Sequence, residues 1–157
     1  MPKATDTFLT DKEKQLEPMN KPDTDFWQSH SIKFLECAFR SDRHETVHRA
    51  DGHGKKKGDC GDTVEFFVLL NKDRLQTICY AVNGCLNTNA CANAVIDLAE
   101  KRSLDEAWEI TPEKVSNYLE TLPEDHFHCA ELAIGAFYLA LADAKRTLKN
   151  PWKKVYR

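Results

Sequence analysis

The sequence predicts an α+β domain in which helices pack on one face of a small antiparallel sheet. Two strand-forming runs, at 64–70 and 75–82, come early and are separated only by Asn71-Lys72-Asp73-Arg74. Helical periodicity then governs the chain after Asn83-Gly84. Strands followed by helices fit a layer of helices on a sheet.

Residues 1–24 are polar, contain Pro2, Pro18 and Pro22, and show no sustained apolar period, so they read as a flexible arm. The domain is expected over 25–149, with a basic tail at 150–157. Ile32, Leu35 and Phe39 recur at helical spacing, with Ala38 beside them, which predicts a first helix ending near Ser41. The stretch 43–59 holds Gly52, Gly54, Gly58, His44, His48, His53 and Lys55-Lys56-Lys57, and reads mainly as a mobile connection with room for a short edge strand. The two strand runs then form an antiparallel hairpin. Cys91, Ala94, Val95 and Leu98 share one helical face up to about Lys101. Ser103-Leu104-Asp105-Glu106 has capping-box spacing, and Thr111-Pro112 gives an N-cap followed by proline at the first helical position, so two short helices follow. Leu122-Pro123 ends the second. A last long helix starts near Cys129, buries Leu132, Ala133, Ala136, Phe137, Ala140 and Ala144, and stops at Asn150-Pro151.

With 157 residues, 41% of them hydrophobic, the chain can build one real core. A net charge of -3 lacks the basic excess that nucleic-acid phosphates demand, so nucleic acid is not an expected partner. No apolar run approaches the roughly 20 residues that span a bilayer, and the N-terminus has no signal-like stretch, so no membrane is expected. Asp6, Asp11, Glu13 and Glu17 argue against an acid-poor transit peptide, and a bacterial-type cytoplasm is the expected setting. There the six cysteines are thiols.

Three of them stand at element ends. Cys60-Gly61-Asp62 precedes the first strand, where an extended backbone would point Cys60 and Asp62 the same way, and Gly61 would let the chain approach a bound ion. Cys85 follows Asn83-Gly84 at a strand–helix junction, and His128-Cys129 opens the last helix. Helix N-termini favour anions, so the thiol pKa of Cys85 and of Cys129 is expected to fall. Cys37, Cys79 and Cys91 read as core residues, although Cys91 lies near the same helix start as Cys85 and its membership of a site stays open. His30, His44, His48, His53 and His126 have no partner spacing that singles them out, and the three lysines read as a solvated loop.

These motifs resemble the NifU/IscU-type iron–sulfur cluster assembly scaffold family. The resemblance runs from about Trp27 to Arg146 and rests on Cys60-Gly61-Asp62-Thr63-Val64, Asn83-Gly84-Cys85, Lys101-Arg102-Ser103-Leu104-Asp105-Glu106-Ala107, and Leu122-Pro123 followed by His128-Cys129. It implies a non-enzymatic scaffold that receives sulfur as persulfide from a cysteine desulfurase. Such a scaffold takes iron, with electrons from a donor such as a ferredoxin, and passes a labile cluster, expected as 2Fe–2S, to apo iron–sulfur proteins. By matching positions, Cys60, Asp62, Cys85, His128 and Cys129 become the metal ligands, with Cys129, Cys60 and Cys85 the persulfide acceptor candidates. A carboxylate among thiolates should hold iron less firmly and favour exchange. Two departures stand out. Glu124-Asp125-His126 follows Leu122-Pro123 where the family has Pro-Val-Lys, which puts Hsp70-type chaperone-assisted release in doubt. Leu86-Asn87-Thr88-Asn89-Ala90-Cys91 replaces a small Ser/Ala-rich stretch and is expected to change the site or add a ligand.

Two other readings share these residues. One is a SufU-type sulfurtransferase that holds zinc, against which His128 argues because that branch lacks it. The other is a structural or regulatory metal-binding module with a closed site. Zinc in the isolated protein would suit each of them.

Overall fold

The computed structural model describes residues 27–156. The chain divides into two units, Met1–Ser31 and Ile32–Arg157, and the fold belongs to the second. The arm expected over 1–24 lies outside the described residues. In order, the body contains α1 (Ile32–Phe39), β1 (Gly52–Lys57), β2 (Thr63–Asn71), β3 (Arg74–Asn83), α2 (Leu86–Ala99), α3 (Leu104–Ala107), α4 (Pro112–Leu119) and α5 (Phe127–Lys149). Short 3-10 turns occupy Glu124–His126 and Pro151–Tyr156.

The sheet is antiparallel in the order β1-β2-β3. Val64, Phe66 and Val68 alternate to one face of β2 and join Ile78 and Tyr80 of β3, all of them fully buried. Helix α5 covers this face, with Phe66 and Phe137 meeting edge to face at 5.6 Å between ring centroids. The opposite face carries only a small cluster of Ala50, Phe67 and Cys79. Helices on one face, as expected, therefore define the architecture.

The 43–59 stretch is more ordered than its composition implied. Lys55, Lys56 and Lys57 belong to β1 and pair with Glu65, Val64 and Thr63, so they are strand residues and not a solvated loop. Lysine suits an edge strand, where it discourages pairing with other chains. Glycine hides this strand from propensity reasoning, yet glycine is what the packing requires. A Cβ at Gly54 would run into the backbone nitrogen of Ala140 and the carbonyl of Ala136, and one at Gly52 would meet the Ala140 carbonyl.

Helix α2 is buried almost all round, through Thr88, Ala90, Cys91, Ala92, Asn93, Ala94, Val95, Ile96 and Ala99. Its small residues let α1, α4 and α5 pack around it, which is why a single-face period missed most of its burial. Cys91 is in this core and Cys37 packs from α1, so both are structural thiols. Asparagines on α2 also finish α1. Asn93 Nδ2 donates to the Cys37 carbonyl at 2.8 Å and Asn89 Nδ2 to that of Ala38 at 2.7 Å, while Tyr80 Oη donates to that of Arg40 at 3.0 Å. These bonds satisfy carbonyls that a helix end leaves unpaired. Both expected N-caps form, with Ser103 Oγ accepting from Glu106 N at 3.2 Å and Thr111 Oγ1 from Lys114 N at 3.3 Å.

The segment Glu124–Lys149 is long and apolar enough to cross a membrane by length and composition, but 56% of its apolar window is buried inside the domain. It is the core helix. Gly54→Ala is expected to lower the unfolding free energy by about 1–3 kcal/mol by overpacking, whereas Lys55→Ala on the exposed side should stay within about 0.5 kcal/mol of the parent. Urea denaturation measures both, and equal midpoints would show that the helix does not need the bare strand.

Candidate metal centre

Three chain segments meet at one end of α5: the β1–β2 loop, the β3–α2 junction and the start of α5 itself. The loop is a tight turn and not an extended lead-in. Gly58 N donates to the Asp62 carbonyl at 2.8 Å and Gly61 N to that of Gly58 at 3.0 Å. Gly61 has φ of 93°, which side-chain-bearing residues rarely adopt, and a Cβ there would meet nothing within 4 Å. Its positive φ makes the turn. The chain turns at Cys60-Gly61 where an extended lead-in was expected. Asp62 reaches the buried side of the site, while exposed Cys60 lines an open cleft of about 490 Å³ with Lys56, Lys57, Asp59, His128 and Glu131.

Gly84 allows the Asp62 placement, since a Cβ there would lie 2.7 Å from Asp62 Cγ. The Asp62 carboxylate accepts from Thr88 Oγ1 at 2.8 Å and, at 3.4 Å, from the backbone N–H of Cys85, the N-cap of α2. Thr88 is fully buried and central. Its hydroxyl also lies 3.4 Å from Cys85 Sγ and 3.5 Å from Cys129 Sγ, so one hydroxyl contacts a carboxylate and two sulfurs. Cys129 Sγ is 3.7 Å from His128 Nε2. Among the described residues, Cys85, His126 and Cys129 present ligand atoms that all lie within 4.8 Å of one another.

The two thiols beside Thr88, Cys85 exposed and Cys129 buried, differ in acidity. Burial pushes the Cys85 thiol up, but hydrogen bonds from the Thr88 hydroxyl and from the backbone N–H groups of Thr88 and Asn87 outweigh it, and its pKa falls below the ordinary cysteine value. Burial drives the Cys129 thiol up to about 11 against the hydrogen bond from Thr88, with neighbouring Cys85 and Asp62 adding to the rise. The expected fall at a helix start therefore holds for Cys85 and fails for Cys129, where burial wins. Cys91 is likewise pushed well above the ordinary value by burial, as a core thiol should be.

Of the residues singled out in the sequence, Asp62, Cys85, His128 and Cys129 are gathered around Thr88 and the start of α5, and Cys60 lines the adjoining cleft through which His128 is reached. Two residues at the site were missed. Thr88 stands three positions after the N-cap, the position whose groups turn back towards a helix start. His126 belongs to His126-Phe127-His128-Cys129, a local density of soft ligands that spacing rules for paired motifs passed over.

The fold and this site define a small α+β domain with a thiol-centred donor cluster where a hairpin loop meets two helix starts. The chain belongs to the NifU-like N-terminal domain family, whose model matches residues 42–150. It is 31% identical over 87 residues to the iron–sulfur cluster assembly scaffold protein IscU of Escherichia coli, a match covering 55% of this chain and 67% of that protein. It is 29% identical over 98 residues to the scaffold protein IscU 1 of Archaeoglobus fulgidus, covering 62% of this chain. That match spans 64% of the archaeal protein's length, just under two thirds. Among solved structures, the NifU-like N-terminal protein of Brucella abortus aligns with a TM-score of 0.62 at 13% identity, covering 74% of this chain and 94% of that one. A SUF-system scaffold protein of Fervidobacterium islandicum aligns with a TM-score of 0.61 at 17% identity, covering 73% and 97%. At such identities these structures establish the shared fold alone.

In the metal-free protein, Cys85 should be alkylated by iodoacetamide from a lower pH than Cys129, whose reaction should still be rising near pH 11. A lowered pKa means thiolate at lower pH, so Thr88→Val, which removes a stabilising donor, should move the Cys85 midpoint upwards. Peptide mapping by mass spectrometry resolves the sites, and an unmoved midpoint would assign the effect to the helix start alone.

Proposed function

We propose that this chain is a scaffold on which a labile iron–sulfur cluster is assembled and from which it is handed to apo-proteins. The observation that carries this reading is the meeting of Cys85 and Cys129 with Asp62 around one buried hydroxyl, beside an open cleft that holds Cys60 and His128. Family membership supports it. The metal ligands are then Cys60, Asp62, Cys85, His128 and Cys129, and the cluster is cargo.

The donor set suits cargo that must leave. Thiolates hold iron–sulfur clusters firmly, whereas a hard carboxylate binds iron of a thiolate-rich cluster less well. Asp62 lowers the hold at one corner, and Cys60, exposed on its turn, is free to accept sulfur as a persulfide from a cysteine desulfurase. Cys85, with its lowered pKa, is the second acceptor candidate, and buried Cys129 the third. The protein is a carrier and substrate in this scheme, not a catalyst. It works in the cytoplasm with a desulfurase, an electron donor and apo acceptors as partners, and the cluster is of the 2Fe–2S type.

Anaerobic incubation with ferrous iron, cysteine and a desulfurase should produce a coloured cluster that is lost on adding an apo-ferredoxin, while the acceptor gains it. A protein that instead keeps one zinc ion and stays colourless would be a sulfurtransferase or a structural module. In the same assay Asp62→Ala should lengthen the lifetime of the cluster, by roughly the tenfold that changes around a metal produce. An unchanged or shorter lifetime by absorbance decay would remove Asp62 from the release step.

A further inference from the structure

The residue that sequence reasoning left aside, His126, has the least ordinary surroundings at this site. It ends the 3-10 turn Glu124–His126, which is closed by a hydrogen bond from His126 N to the Pro123 carbonyl at 2.9 Å. That turn carries its imidazole back towards the two inner sulfurs, so that ligand atoms of Cys85, His126 and Cys129 lie within 4.8 Å of one another. Its Nδ1 atom is shielded from solvent and has no hydrogen-bond partner among the described residues. A buried ring nitrogen without a partner is costly, and such orphans call for a ligand that the protein chain itself does not supply. The other ring nitrogen, Nε2, faces the Asp125 carboxylate at 3.9 Å.

We propose that Cys85, Cys129 and His126 form a three-donor seat for a single divalent transition-metal ion, occupied before Cys60 and Asp62 are engaged. The geometry needs little adjustment. A tetrahedral ion bound by two thiolates and an imidazole sets sulfur–sulfur spacing at about 3.8 Å and sulfur–nitrogen spacing at about 3.5 Å. Donors already within 4.8 Å must close by about an ångström, which side-chain rotation supplies. Binding forms two sulfur–metal bonds and one nitrogen–metal bond, and the two thiol protons leave to solvent. No oxidation state changes. Two thiolates, a neutral imidazole and a divalent ion sum to zero charge, which suits a seat where Cys129 is buried and His126 half-buried while Cys85 stays exposed.

Three protein donors leave one tetrahedral position open, as in metal sites that exchange ligands and unlike closed structural sites. That open position accounts for the division between the two histidines. His128 lines the outer cleft with Cys60, while His126 completes the inner set. Cys129 lies between them, since it is the sulfur near both. A first metal ion can be held in this seat while Cys60, exposed on its turn, stays free to take up sulfur. The role as a holding step rests on the scaffold reading, whereas the existence of the seat does not.

The test uses cobalt(II) alone, added anaerobically to the metal-free full chain without sulfide or desulfurase. The parent should show tetrahedral d–d bands and sulfur-to-cobalt charge transfer at one equivalent. His126→Ala should weaken the affinity by about 10- to 100-fold, while His53→Ala, on strand β1 beside Glu65 and away from this cluster, leaves it unchanged. His126→Gly should regain the cobalt spectrum when free imidazole is supplied, which a merely structural role would not allow. With zinc, long-range proton–nitrogen correlation should show His126 Nδ1 shifted as a metal ligand. Equal affinity in His126→Ala and the parent would overturn the seat while leaving the scaffold reading standing, as would loss in His128→Ala instead. A parent that binds no cobalt but builds a cluster would overturn it equally. Cobalt binding that depends on His126 in a protein that never assembles a cluster would uphold the seat and remove the scaffold reading.

Discussion

The close approach of α5 to β1 is the constraint on which the remaining geometry depends. Gly52 and Gly54 face the helix backbone at Ala140 and Ala136, and no residue with a Cβ fits there without displacing one element. With the helix this low over the edge strand, its first turn comes down beside the loop that leaves the same strand. Cys60, carried by that loop, and His128, carried by the helix start, thus line one cleft although they are far apart in the chain. Lys56 marks the same closeness, since its side chain lies where a Cβ on Gly135 of α5 would fall, 2.7 Å from Lys56 Nζ.

Within that frame the inner part of the site is organised by hydrogen bonds from the protein itself. Thr88 links Asp62, Cys85 and Cys129, and Gly84 leaves room for the Asp62 carboxylate to enter. Each of these contacts exists without a metal. The consequence is a donor set that is preorganised yet already partly satisfied, so an arriving ion must displace hydrogen bonds to be held. Preorganisation limits the cost of binding, and competition for the same donors limits its strength.

Much of this was legible in the chain, and the exceptions share a physical cause. The hairpin, the two N-caps at Ser103 and Thr111 and the long apolar stripe of α5 follow from local rules, because each depends on neighbours within a few residues. Strand β1 was obscured because glycine has low strand propensity, and the close packing that demands glycine here is a property of α5, some eighty residues away in sequence. Around the site, Cys60, Asp62, Cys85, His128 and Cys129 stood out as polar or reactive residues at element ends. Thr88 and His126 did not, since a threonine or a loop histidine acquires meaning only from what tertiary structure sets beside it. The acidity of Cys129 was misread for the same reason. The helix start was visible in sequence, but the depth of burial that outweighs it was not.

The core and the donor cluster are separate parts of the domain, and that separation suits the proposed carrier role. Phe34, Phe66, Tyr80, Val95, Phe137 and Leu141 are fully buried on interfaces between the sheet and the helices, and together they supply the apolar burial that folding requires. Small metal domains that lack such a core fold only when the metal binds, so the binding energy is folding energy and the ion cannot be given up without unfolding. Here the sulfurs sit at the margin of a domain with its own core, held in place by Thr88 and by the ends of three elements. Under the scaffold reading, loss of an ion or cluster leaves two thiols and a carboxylate that already have hydrogen-bond partners, beside a core that does not depend on the metal. The affinity of the site can be set for transfer, because stability has been provided elsewhere.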